Sequence, residues 1–255
     1  MTDIILVVAA VTTLAAAVRS TWSPCGLSML STITPFSERA KGHCYRATAG
    51  WFISGAVVGG ACLGALMALA AAGVRGLHLS GPGLVAAALA AAGVAALSDS
   101  GAVGLQLPIH RRQVNERWLD RYRPWVYGAG FGWQIGTGLA TYITTAAVYL
   151  MIVLGALTAD PVTAVGLGVA FGTLRGLAVL LTRTLDGPGA LRAFHRSFDA
   201  AGPVVARTVV GVEVAVSLAL ALALRSPIAV AGVATATAVG LVVATRGRRV
   251  PARSR

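Results

Sequence analysis

Charge is what this chain has least of. Its 255 residues are 12% charged and 56% hydrophobic, with a mean hydropathy of +0.76, where soluble chains carry roughly 25% charged residues. Too little polar surface remains to face water, which excludes an ordinary soluble domain and makes lipid the main solvent. Acid is scarcer still. Nine Asp and Glu stand against 21 Lys and Arg, the net charge is +12, and Lys41 is the only lysine. A cationic chain invites a nucleic-acid reading, but these bases fall in short stretches between apolar runs, without the clustered footprint such binding needs. That spacing is the positive-inside pattern of membrane proteins, and no nucleic-acid partner is expected. Arginine's dominance over lysine, with abundant Ala, Gly and Val, points to a GC-rich bacterial genome.

Cysteine is sparse too. Cys25, Cys44 and Cys62 do not make a disulfide framework. The start, Met1-Thr2-Asp3, lacks a basic region, so a cleaved signal peptide is not expected. His43, His78, His110 and His195 are expected in loops, with no pair at ligand spacing inside a span. No metal site or cofactor is therefore implied. Phosphate-binding loops, serine-hydrolase elbows, zinc-protease motifs and dinucleotide fingerprints are all missing. That argues against ATP-driven transport by this chain alone. Its outer connections are too short to build an interfacial enzyme site.

What is present is apolar sequence in seven runs. They cover Ile4 to about Phe36 (interrupted by Arg19 and Pro24), Ala47 to Gly73, Gly83 to Leu97, Val126 to Leu157, Val162 to Leu181, Pro203 to Leu224, and Ile228 to Ala244. About 20 apolar residues cross a bilayer as helix, and the third run is the shortest of the set. Lipid does not tolerate open sheet edges, and no alternating barrel pattern appears. The expected fold is all-α, a polytopic membrane bundle of about seven transmembrane helices over residues 1–246, with a basic tail at 247–255.

The connections assign an orientation. Arg39, Lys41 and Arg46 follow the first run; Arg111, Arg112, Arg117, Arg121 and Arg123 follow the third; Arg183, Arg192 and Arg196 follow the fifth; Arg246, Arg248, Arg249, Arg253 and Arg255 end the chain. The alternate connections hold Arg75 alone, then no base in Thr158-Ala159-Asp160-Pro161, then Arg225 alone. Every second connection is basic, which predicts an outside N-terminus, a cytoplasmic C-terminus and a bacterial plasma-membrane location. Trp118, Tyr122, Trp125 and Tyr127, interleaved with arginines, read as an interfacial anchor on lipid headgroups.

The first and fourth runs echo one another. Thr21-Trp22-Ser23-Pro24-Cys25-Gly26-Leu27-Ser28 is followed by Thr32 and Thr34; Phe131-Gly132-Trp133-Gln134-Ile135-Gly136-Thr137-Gly138-Leu139-Ala140 is followed by Thr144 and Thr145. Both set small and hydroxyl residues around a Gly-Leu. Repeats of three spans must be inverted, because three is odd. Inverted repeats with helices broken at mid-membrane frame the binding sites of many transporters. The expectation is repeat one at about 4–98, repeat two at about 126–224, and an extra helix at about 228–245.

Ser23-Pro24-Cys25-Gly26 is the most specific feature. A proline inside a span removes a backbone bond, and the freed carbonyl needs protein or a wet cavity beside it. The cysteine there reads as a redox thiol, a soft-metal ligand or a small packing residue. Cys62, in Gly59-Gly60-Ala61-Cys62-Leu63-Gly64, reads as a packing residue at a close helix contact. Arg19, about 9 Å before Cys25 along a helix, Arg175 and Glu213 are charges within spans. Each costs roughly 2.5–3.5 kcal/mol if left facing lipid, so a buried Arg–Glu pair or a polar cavity is expected.

Ser23-Pro24-Cys25 in a first span, a basic loop after it and a Gly-rich second span resemble the CcdA/DsbD transmembrane electron carriers, within the broader LysE-type superfamily of exporters. The resemblance covers about Arg19 to Leu224. It implies two inverted three-helix repeats, a thioredoxin-like or other partner protein, and a redox cysteine in each of the first and fourth spans. The fourth span here has no cysteine; Thr137 or a neighbour stands at that point.

Three readings follow. The first is a secondary transporter or exporter-like carrier of a small solute or ion, its site between spans one and four. Arg19, Ser23, Pro24, Cys25, Ser28, Thr32, Gln134, Thr137, Thr141 and Thr144 would line it, with Arg175 and Glu213 as charged partners. The second is a thiol–disulfide conduit with Cys25 as its one reactive residue and a partner supplying the missing sulfur. The third is a non-transporting scaffold subunit. Only the second would make the chain an enzyme. Membrane lipids are partners in all three.

Overall fold

A computed structural model describes residues 2–101 and 122–247, with side chains from 3 to 101 and 122 to 238. His110, Arg111, Arg112, Arg117, Trp118 and Arg121 lie outside the described residues, as do Arg248, Arg249, Arg253 and Arg255. The described residues form helices α1 (Thr2–Thr21), α2 (Pro24–Thr32), α3 (Pro35–Ala40), α4 (Tyr45–Gly76), α5 (Gly81–Ser100), α6 (Pro124–Thr137), α7 (Ala147–Leu157), α8 (Pro161–Leu177, continued as a 3₁₀ turn to Thr182), α9 (Pro188–Ala223) and α10 (Pro227–Gly247). No strand occurs among them. The chain is a helical bundle of membrane type. Among the described residues, five helices are long and apolar enough to cross a bilayer: α1, α4, α5, α8 with its 3₁₀ turn, and α9.

The first and fourth apolar runs are each broken in two. The break after α1 is written in the sequence, because Ser23 caps α2 with its hydroxyl on the Gly26 amide at 3.2 Å and Pro24 opens that helix. The break after α6 ends on Gly138, whose φ of +65° suits glycine, and whose missing Cβ leaves room for the Phe171 ring. Residues 138–146 then run without regular structure to α7. The third run, short on hydropathy, belongs to a full 20-residue helix. The sixth run starts well inside α9, a 36-residue helix with Pro203 within it.

The inner seam is built on glycine. Gly128, Gly132 and Gly136 of α6 press on α4, and Gly168, Gly172 and Gly176 of α8 press on its other side. Between them α4 offers Gly55, Gly59, Gly60 and Gly64. A Cβ at Gly132, Gly136 or Gly172 would collide with backbone carbonyls of α4. Four-residue spacing of small residues is how membrane helices gain close van der Waals contact when lipid offers no hydrophobic drive. Cys62 departs from expectation here: its glycine neighbours make the contacts, while its own side chain is exposed on the outer face of α4.

Outside this trio, α1 packs on α7, α8 and α9, while α5 packs on α7 and α9. Across the loops, Arg75 reaches Ala159 O at 2.8 Å and Asp160 Oδ1 at 3.2 Å, and Asp160 caps α8 through the Thr163 amide. Two expectations fail in this layer. His195 is in α9, not a loop, and lies 3.1 Å from the Ser31 hydroxyl. Tyr127 is not an interfacial anchor but buried, bonded to Glu38.

Candidate functional site

The two helix breaks face a single side chain, Arg175 of α8. Ser20 would normally pass its carbonyl to the amide four residues on, but that residue is Pro24, which has none. The carbonyl instead accepts from the Ser23 amide at 3.2 Å and from the Arg175 guanidinium at 3.3 Å. At the second break the Ile135 carbonyl accepts from the Gly138 amide at 3.2 Å and from Arg175 at 2.6 Å. One guanidinium therefore closes the carboxyl ends of α1 and α6, where backbone oxygens concentrate partial negative charge. Arg175 is buried, stands over the Phe171 ring at 5.6 Å, and lies within electrostatic reach of the Cys25 thiol. The expected buried Arg–Glu pair is not formed; among the described residues neither Arg175 nor Arg19 bridges to Glu213.

The opposite pole of the second break is served by an acid the sequence reading passed over. Asp99, in the last turn of α5, accepts the Ala146 amide at 2.7 Å and the Thr145 hydroxyl, so a carboxylate caps the amino end of α7. Asp99 also interacts with the charges of Arg19 and Glu213. The Trp22–Ser23 turn separates Arg19 from Cys25, so no continuous helix joins them. Glu213 is 1% exposed, and neither of its oxygens has a hydrogen-bond partner among the described residues. The hydroxyls of Thr12 and Thr144 are buried and unbonded as well.

Of the remaining candidates, Ser23, Thr32, Thr137 and Thr141 are bonded locally. Ser23 and Cys25 are fully buried. Cys25 packs with Met29, Phe52, Ile135 and Phe198 in one apolar cluster. Thr32 donates to Ser28 O at 2.8 Å, Thr137 to Gln134 O at 2.9 Å, and Thr141 to Gly138 O at 3.4 Å. These hydroxyls turn back on nearby carbonyls of their own segments rather than converging on one point. Trp22 stacks on Phe198 with ring centres 4.2 Å apart and donates to the Phe198 carbonyl at 2.8 Å, pinning the first break to the start of α9.

Glu38, in the short helix α3 after the first run, was also missed. It is fully buried and accepts the hydroxyls of Thr48 and Tyr127, each at 2.5 Å, with Lys41 and His43 both 3.9 Å away. A carboxylate between apolar runs carries no sequence mark of burial, although three bases within five residues, Arg39, Lys41 and His43, hinted at a partnered acid. No trio of His, Cys, Asp or Glu among the described residues is arranged to hold a metal ion. None of the three cysteines is in a disulfide; Cys44 and Cys62 are exposed and Cys25 buried.

No protein-family profile and no solved structure matches the chain. It is similar to the methylamine utilization protein MauF of several bacteria. Identity is 34% over 173 residues with the protein of Paracoccus denitrificans, covering 63% of this chain and 58% of that one. With Paracoccus versutus it is 32% over 171 residues (63% and 59%), and with Methylorubrum extorquens 29% over 162 residues (62% and 56%). The chain thus spans less than two thirds of the length of these curated relatives.

Proposed function

We propose that this chain is a carrier of a small solute or ion in a bacterial plasma membrane, working at the two helix breaks. Its seven crossings would be α1–α2, α4, α5, α6–α7, α8, α9 and α10, with the N-terminus outside. Two inverted repeats would fill 4–98 and 126–224. The pairing of helices supports this: α1 lies on α8 and α9, as α6 and α7 together lie on α4 and α5. The likeness to proteins named for methylamine utilization supports a place in the handling of small amines or what they yield.

The observation that carries the reading is Arg175, which bonds both broken ends at once. Irregular backbone at membrane depth is tolerated where it is buried in protein or lines a polar path, and carriers build their sites there. The thiol-conduit reading, in keeping with the resemblance to CcdA/DsbD proteins, draws support from Cys25 beside the first break and within reach of Arg175. It lacks a second sulfur, since Cys62 faces outward and Cys44 lies at the start of α4.

Cys25 labelling tests both, in a Cys44→Ser, Cys62→Ser background with a membrane-impermeant thiol reagent. Cys25 has no exposed surface in the closed bundle, so labelling requires the breaks to open. We expect labelling that depends on the side of addition. Dependence on reductant would put the conduit first. Silence from both sides would overturn carrier and conduit alike and leave a scaffold.

A further inference from the structure

We propose that Glu213 and Asp99 form an intramembrane proton-binding site in which Glu213 is the carboxyl that takes up and releases the proton. Asp99 has what an ionised carboxylate needs: the Ala146 amide, the Thr145 hydroxyl and the charge of Arg19. Glu213 has none of these. It is 1% exposed, both oxygens lack a donor among the described residues, and the charge acting on it is the like one on Asp99. Burying an unpaired carboxylate is among the largest penalties a fold can carry, and the group neutralises instead.

A charge count reaches the same answer. The helices packed on α9 are α5, α1 and α10. From α5 comes Asp99, and from α1 comes Arg19, which faces Asp99. α10 holds no titratable residue between Pro227 and Ala238. On α9 itself Arg207 is exposed. One cation thus meets two acids, and one proton balances them. Two carboxyls in unlike environments, one supplied with donors and one stripped of them, is how proteins separate a group that stays charged from one that exchanges a proton.

The site couples to the second helix break through one bond set. Asp99 holds the amino end of α7, so a proton leaving Glu213 sets a second negative charge within electrostatic reach of the carboxylate that caps that helix. Thr144, with its unbonded buried hydroxyl, lies in the same segment. The proposal rests on the carrier reading only in giving this proton work to do.

The test needs no substrate, so its failure and that of the carrier reading are separable. Infrared spectra of the full chain in lipid vesicles, in H₂O and D₂O, are compared for wild type, Glu213→Gln, Glu38→Gln and Asp99→Asn. We expect a protonated-carboxyl band at neutral pH that Glu213→Gln removes and Glu38→Gln keeps. The band should shift in D₂O and disappear at higher pH, and Asp99→Asn should change the pH at which it does so. Glu213→Gln mimics the neutral acid and should fold, with melting checked beside wild type. Absence of the band in wild type overturns the proposal. So does a band that never exchanges with D₂O, which marks a sealed structural acid, or one that sodium abolishes at fixed pH, which marks a metal-cation site.

Discussion

Two halves of this bundle solve the problem of packing in lipid in different ways. The α4, α6 and α8 trio is seamed with glycine, and its backbones approach until no side chain fits between them. The α1, α5, α7 and α9 set holds Thr12 and both oxygens of Glu213 without hydrogen-bond partners among the described residues, with Thr144 just before α7, while one further orphan, Glu38 Oε1, lies in α3. Close packing of backbones makes a rigid frame. Unsatisfied buried groups carry a standing penalty and are found where something else is meant to satisfy them. Arg175 sits on the frame and reaches across to α1, so it joins the two.

That contrast can be broken most severely at the join. Arg175→Met leaves the Ser20 and Ile135 carbonyls with only their short-range amides, at about 1–3 kcal/mol for each group left wanting. Unfolding of the purified protein in detergent should show the loss, with Arg175→Lys recovering part of it. Within the frame, Gly172→Ala drives a methyl into the Ala56 carbonyl and should cost roughly 1–3 kcal/mol. Gly166→Ala, on the same helix with open space around it, should be neutral or slightly stabilising. Equal effects at the two glycines would erase the distinction between seam and lipid face. The smallest effect belongs to the other half. Thr144→Val removes a hydroxyl that bonds nothing and should change stability by less than about 0.5 kcal/mol. A loss of transport without a loss of stability there would separate working groups from framework.

Legibility followed the same division. Lipid demands unbroken apolar runs, so hydropathy found the helix positions, and Ser23-Pro24 announced the first break. The second break has no proline. It is made by Gly138 and a stretch of hydroxyl residues, and the echo with the first run hinted at it without locating it. Arg175 misled a search for opposite charges because its partners are backbone carbonyls. Asp99 hid at the edge of the shortest apolar run, and Tyr127 looked interfacial because its buried partner, Glu38, is remote in sequence.

The geometry at Arg175 carries a mechanical consequence. A hinge pin that passes through two leaves ties their motions together, and this guanidinium passes through both discontinuous helices. Withdrawing it toward an arriving anion would take one donor from each of two carbonyls at once, so the two breaks would loosen together. On the carrier reading, opening at one break would carry the other with it, which favours two states over many.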